Sequence, residues 1–142
     1  MRAPDEEGST LLLTIFYGFL SLVLVLVVVA ATSLYLERKR LFTVADGAAL
    51  VGAEAFDLTS VSVTPDGPRA SLQGAEVASA VDSYLASIPT GLDSLTVEEA
   101  TSVDGRSATV SLSAYWRPPI VALLLPEGIR IEVTSVARSV FS

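Results

Sequence analysis

The chain has 142 residues, of which 51% are hydrophobic, and a formal net charge of −7. It has no cysteine and no histidine, which excludes disulfides, thiolate chemistry and Cys/His zinc sites. The acidic balance argues against a nucleic-acid partner, whose phosphates require clustered Lys and Arg.

A short acidic segment, residues 1–10 with Asp5, Glu6 and Glu7, precedes a long apolar run. No charged residue occurs from Gly8 to Leu36, so this stretch lacks the polar face of a surface helix. Residues 11–36 predict a transmembrane helix. About 26 residues at 1.5 Å each give about 39 Å, against a hydrocarbon core of about 30 Å. Tyr17 and Tyr35 fall where interfacial aromatics sit, and Arg38, Lys39 and Arg40 follow as headgroup anchors. A cleaved signal peptide is the rival reading, with Val29-Ala30-Ala31 as the small-residue site. The acidic flank and the length of the run, beyond the usual 7–15 residues, count against it. Counting Lys and Arg alone, the C-terminal flank outweighs Arg2, which would place the rest of the chain in the cytoplasm.

Residues 37–56 predict an extension of the same helix, being free of proline and rich in alanine. Ala45, Ala49 and Ala53, with Ala48 and Gly52, recur at intervals of four and form a stripe of small residues. Such a stripe lets another backbone approach closely, either this chain's own domain or a partner helix. Residues 57–142 predict a small α+β domain. Asp57 to Pro68 reads as a loop, rich in turn-forming residues. A second helix is predicted around Ser71 to Ser87, where Val77, Val81, Tyr84, Leu85 and Ile88 give one apolar face, ended by Pro89 and Gly91.

Strands follow at Ser94 to Val103, Ala108 to Trp116 and Ile129 to Val140, with Asp104-Gly105 as a hairpin signal. In the second, Val110, Leu112, Ala114 and Trp116 alternate with polar residues. The expected fold class is α+β: a long N-terminal helix extended beyond the membrane, with the second helix packed on a three-stranded antiparallel sheet. Between the last two strands, Ile120, Val121, Ala122, Leu123, Leu124 and Leu125 are bracketed by prolines. This run is too short to span a bilayer; it is either a helical turn capping the core or an exposed contact patch.

Chemistry-bearing constellations are missing. Serine has no histidine base, no Gly-rich phosphate loop or EF-hand spacing occurs, and Glu98 and Glu99, as strand neighbours, are expected on opposite faces. No catalytic residue, metal, cofactor or small-molecule substrate is therefore expected.

Gly8-Ser9, the apolar helix, Tyr35, Arg38-Lys39-Arg40-Leu41 and the run Ala45-Asp46-Gly47-Ala48-Ala49-Leu50-Val51-Gly52-Ala53 resemble the N-terminal region of the TadE/TadG-like group of Flp/Tad pilus-assembly proteins. The resemblance covers about a third of the chain, and its small-residue run is its more specific part. It implies a noncatalytic structural or assembly component held in the cytoplasmic membrane by one helix. The domain would then lie outside, the reverse of what the charge count gives, and the resemblance is followed here. Expected partners are the lipid bilayer and other pilin-like or pilus-assembly subunits. Prepilins of this system are cut after a glycine and carry a glutamate five residues later. Gly8 and Ser9 mark the corresponding processing site here, with Leu13 in place of the glutamate. The alternatives are a processed minor pilin packed in a filament and a membrane-anchored binding module unrelated to pili.

Overall fold

The computed structural model describes residues 6–56, 62–65, 67–69 and 71–139. The elements in chain order are α1 (Glu6–Glu54), β1 (Ser62–Thr64), β2 (Gly67–Arg69), α2 (Gly74–Ser87), β3 (Thr96–Thr101), β4 (Ser107–Trp116), α3 (Pro119–Leu124) and β5 (Ile129–Arg138). The class is α+β, as expected. The chain divides into two compact units, Met1–Tyr35 and Leu36–Ser142. The second unit begins at the helix extension, twenty or so residues before the expected domain start at 57, because that extension supplies part of the core.

The first unit is helical from Glu6 and apolar along residues 8–35. Nearly all of its large side chains, among them Leu12, Phe19, Leu24 and Val28, are exposed. Two of its threonine hydroxyls bond back within the helix: Thr14 donates to the Thr10 carbonyl and Thr32 to the Val28 carbonyl, each at 2.9 Å. A helix that closes its own polar groups in this way is compatible with hydrocarbon surroundings.

In the second unit α1 runs unbroken through Gly47 to Glu54. Its inward face is Leu41, Ala45, Ala48, Ala49, Gly52 and Ala53, all buried. The small side chains bring the helix backbone close to its neighbours. A Cβ at Gly52 would lie 3.0 Å from Val77 of α2 and 3.2 Å from Ala108 of β4, and the Tyr84 hydroxyl of α2 abuts Gly47. Asp46 Oδ1 accepts a hydrogen bond from Ser135 Oγ of β5 at 2.8 Å. The sheet is thus covered by two helices, α1 and α2, where the sequence pattern had assigned one.

The sheet order is β3-β4-β5, antiparallel throughout. The pairs Ala108↔Ala137, Val110↔Ser135, Leu112↔Val133 and Ala114↔Ile131 line the inner face. β4 and β5 match the predicted strands closely, whereas Val140 lies outside the described residues. β3 is shorter than predicted, and its register against β4 shifts between Val97 and Glu99. This bulge overturns the expectation for Glu98 and Glu99. Glu99 pairs with outward-facing Ser111, and Glu98 accepts from the hydroxyl of outward-facing Ser113, so both lie on the outer face.

The β3–β4 connection is longer than a two-residue hairpin. Asp104 closes it as a side-chain turn: its Oδ1 accepts from the backbone N–H groups of Arg106 (2.9 Å) and Ser107 (2.6 Å), and its Oδ2 from Ser107 Oγ (2.9 Å). Gly105 follows at φ +67°. The stretch expected as a loop, Asp57 to Pro68, contains the antiparallel ribbon β1–β2, paired Ser62↔Arg69; residues 57–61 and 66 of it lie outside the described residues.

Two glycines carry tight geometry. Gly128, at φ +77°, has its missing Cβ aimed within 2.6 Å of the Trp116 carbonyl oxygen. Gly128→Ala combines backbone strain with a clash and is expected to cost about 1–3 kcal/mol or more. Gly52→Leu overpacks the α1–α2–β4 junction at a cost of about 1–3 kcal/mol. Urea denaturation of the full chain in micelles checks both, with Gly8→Ala, where a Cβ meets nothing within 4 Å, as the neutral control.

Hydrogen bonds from the Arg106 and Ser107 backbone, and from the Ser107 hydroxyl, hold the Asp104 carboxyl down at about 2 from its ordinary 3.8. A carboxylate depressed by folding contributes stability that is complete above 3.8 and is lost as pH falls through about 2. The urea midpoint should therefore decline across that window, and Asp104→Asn should flatten the decline while leaving its slope above pH 5 unchanged, ~1 unit clear of the titration.

Candidate functional site

Three surfaces come out of the fold: the apolar segment, the outer face of the sheet, and the α3 turn. The expected interfacial residues Tyr17 and Tyr35 are exposed on α1, Tyr17 packing edge-on against Phe16 with centroids 5.7 Å apart. Arg38, Lys39 and Arg40 lie on the exposed surface of α1, where Arg40 makes a long 3.8 Å ion pair with Glu37 one turn away. Gly8 and Ser9 sit in the first turns of α1, both exposed. The five small residues Ala45, Ala48, Ala49, Gly52 and Ala53 are brought together, all buried within the chain's own domain. The helix surface left open beyond Leu36 carries Leu36, Phe42 and Leu50 instead, all exposed.

The outer sheet face holds a charged cluster that the sequence pattern did not single out. Arg130 lies between two carboxylates, 2.7 Å from Glu98 Oε1 and 3.3 Å from Glu132 Oε2. Glu98 also accepts from Ser113, and Ser111 and Thr134 share a 2.7 Å hydroxyl–hydroxyl bond beside them. The Ser113 hydroxyl, then Arg130, hold the Glu98 carboxyl below its ordinary range, while Glu98 raises Arg130. Arg117 stacks 5.6 Å over the Tyr115 ring. Ionised, paired carboxylates are poor general acids; this arrangement fixes strand register and solvates the face. The bulge in β3 was the missing signal, since strict alternation hides it.

An open groove of about 470 Å³ runs between the end of α1 and α2, lined by Ala55, Phe56, Glu76, Ser79 and Ser83 among others. Its lining carries one carboxylate, Glu76, and the hydroxyls of Ser79 and Ser83. Among the described residues no group of three or more His, Cys, Asp or Glu stands together as a metal site would require.

α3 is a helical turn, as one of the two expectations for residues 120–125 had it, but it does not cap the core. Ile120, Leu123, Leu124 and Leu125 are exposed, Leu123 at 84% and Leu124 at 82%, and Val121 is half-buried.

Residues 8–55 match the family model for Tad, described as putative Flp pilus-assembly TadE/G-like. No curated protein and no solved structure matches the chain. The matched stretch takes in the apolar segment, the basic triplet and the small-residue stripe, and supports a Tad-related assembly component. Over residues 8–55, then, the chain is similar to the TadE/G-like Flp pilus-assembly family.

Proposed function

We propose that this protein is a noncatalytic structural component of a Tad (Flp)-type pilus or related secretion machine, anchored by one transmembrane helix with its α+β domain outside the cytoplasm. The observation that carries this reading is the apolar helix, which is unburied along its length and continuous with a folded domain, within a TadE/G-like match. A stretch of mean hydropathy 2.8 left wholly exposed requires lipid or other apolar helices around it. The domain presents a charged sheet face, and the open helix surface of Leu36, Phe42 and Leu50 is the part available to neighbouring subunits. Arg38, Lys39 and Arg40 serve as headgroup anchors, with Tyr17 and Tyr35 at the two boundaries.

Two measurements test this. Protease added to intact spheroplasts should remove the domain and leave a membrane-protected fragment of residues 1–36; digestion only after lysis would reverse the orientation. The intact mass of the protein, taken separately from membranes and from sheared surface material, should show the full-length chain confined to membranes. A form beginning at Ser9 in the sheared fraction would instead make it a processed, filament-packed pilin.

A further inference from the structure

The sheet has an open edge beneath a helix that overhangs it. The order β3-β4-β5 leaves β5 with no strand on its far side among the described residues. That edge is ten residues long, Ile129–Arg138, with no proline and an unbroken register against β4. The devices that blunt a natural edge, a bulge or a proline, are thus missing from it, whereas β3 at the other edge carries a bulge. α2 lies against β3, and α1 lies beside α2, Gly47 meeting Tyr84 and Gly52 meeting Val77. Two helices side by side cover about 18–20 Å, at about 8–10 Å between axes and about 10 Å across each. Three strands about 4.8 Å apart cover about 14 Å, so the helical layer is wider than the sheet by about one strand. The overhang falls on the β5 side, where Asp46 Oδ1 accepts from Ser135 Oγ. Phe42 and Leu50 stand one turn before and one turn after Asp46 on the same helix face, 46% and 53% exposed. These two large apolar side chains roof the outward-pointing backbone N–H and C=O groups of β5.

We infer that the β5 edge takes an extended segment of a partner protein as a fourth, antiparallel strand, with apolar residues at every second position packing under Phe42 and Leu50. The residues involved all belong to the second unit, so the inference stands independently of the anchoring proposed above. Strand addition of this kind draws affinity from main-chain hydrogen bonds and specificity from alternate side chains. Antiparallel pairing is the more stable ladder and continues the alternation of the sheet. Charge defines the outer face of the occupant. Arg130 is held by Glu98 and Glu132, but Arg138 is exposed and, among the described residues, paired with no carboxylate. A segment with an acidic residue level with Arg138, near its own N-terminal end, complements the edge. A second folded copy does not fit, because its sheet arrives with helices of its own and the overhang of α1 already takes their space. The same overhang leaves room for a single strand.

The probe is a fluorescein-tagged peptide that alternates valine and threonine after one N-terminal aspartate, titrated into the full-length protein in detergent micelles. Its anisotropy should rise to saturation, and amide hydrogen exchange should slow along residues 129–138 but not along β3. A peptide of the same residues with the valines grouped together, and an N-methylated one that cannot donate to the ladder, should not bind. Phe42→Ser should weaken binding about tenfold through the lost apolar contact, and Arg138→Glu about fivefold through the reversed charge. Leu123→Ser, on the exposed α3 turn, should leave it unchanged. Equal binding of the grouped or N-methylated peptide, protection elsewhere than β5, or no binding at all would overturn the inference. Slowed exchange on β5 that appears without peptide and grows with protein concentration would assign the edge to a second copy and overturn it too.

Discussion

The fold depends on the close approach of one helix face to two neighbours at once. Between Leu41 and Ala53, α1 lies against both α2 and the sheet, and it does so through side chains no larger than a methyl group at every inward position after Leu41. Gly52 is the tightest point, with Val77 and Ala108 at the limit of ordinary contact with any Cβ placed there. Larger residues would push the helix off the sheet, expose the inner faces of β4 and β5, and separate Asp46 from Ser135. The stripe that would also suit a partner helix is therefore already occupied. Association through this part of α1 has to use surface outside the stripe, where Leu36, Phe42 and Leu50 are exposed.

One helix, α1, contributes both the apolar segment and part of the core of the second unit. Among the described residues, the outer half leaves nearly all of its large side chains exposed, and its backbone hydrogen bonds close within the helix. The inner half is fixed by tertiary contact.

The two faces of the sheet divide the labour. The inner face is largely apolar and closed by helices, with pairs such as Leu112↔Val133 buried on it. The outer face is a ladder of hydroxyls and ion pairs centred on Arg130, with the β3 bulge turning Glu98 toward it. Such exposed pairs add little to stability.

Some of this was legible in the residues alone. Period and length determined the apolar helix, its small-residue continuation, α2, β4 and β5, because each is a local pattern whose spacing matches one backbone geometry. The family resemblance also lay in a contiguous stretch, so it too could be read directly. Tertiary structure decided what no local pattern encodes. It chose the chain's own α2 and sheet as the partner of the Ala45–Ala53 stripe, since small residues permit close approach without naming what approaches. It inserted a bulge that put Glu98 and Glu99 on one face, since bulges arise from pairing across strands. It also left residues 120–125 outside the core, because whether an apolar turn is covered depends on how much of the sheet the two helices have already filled.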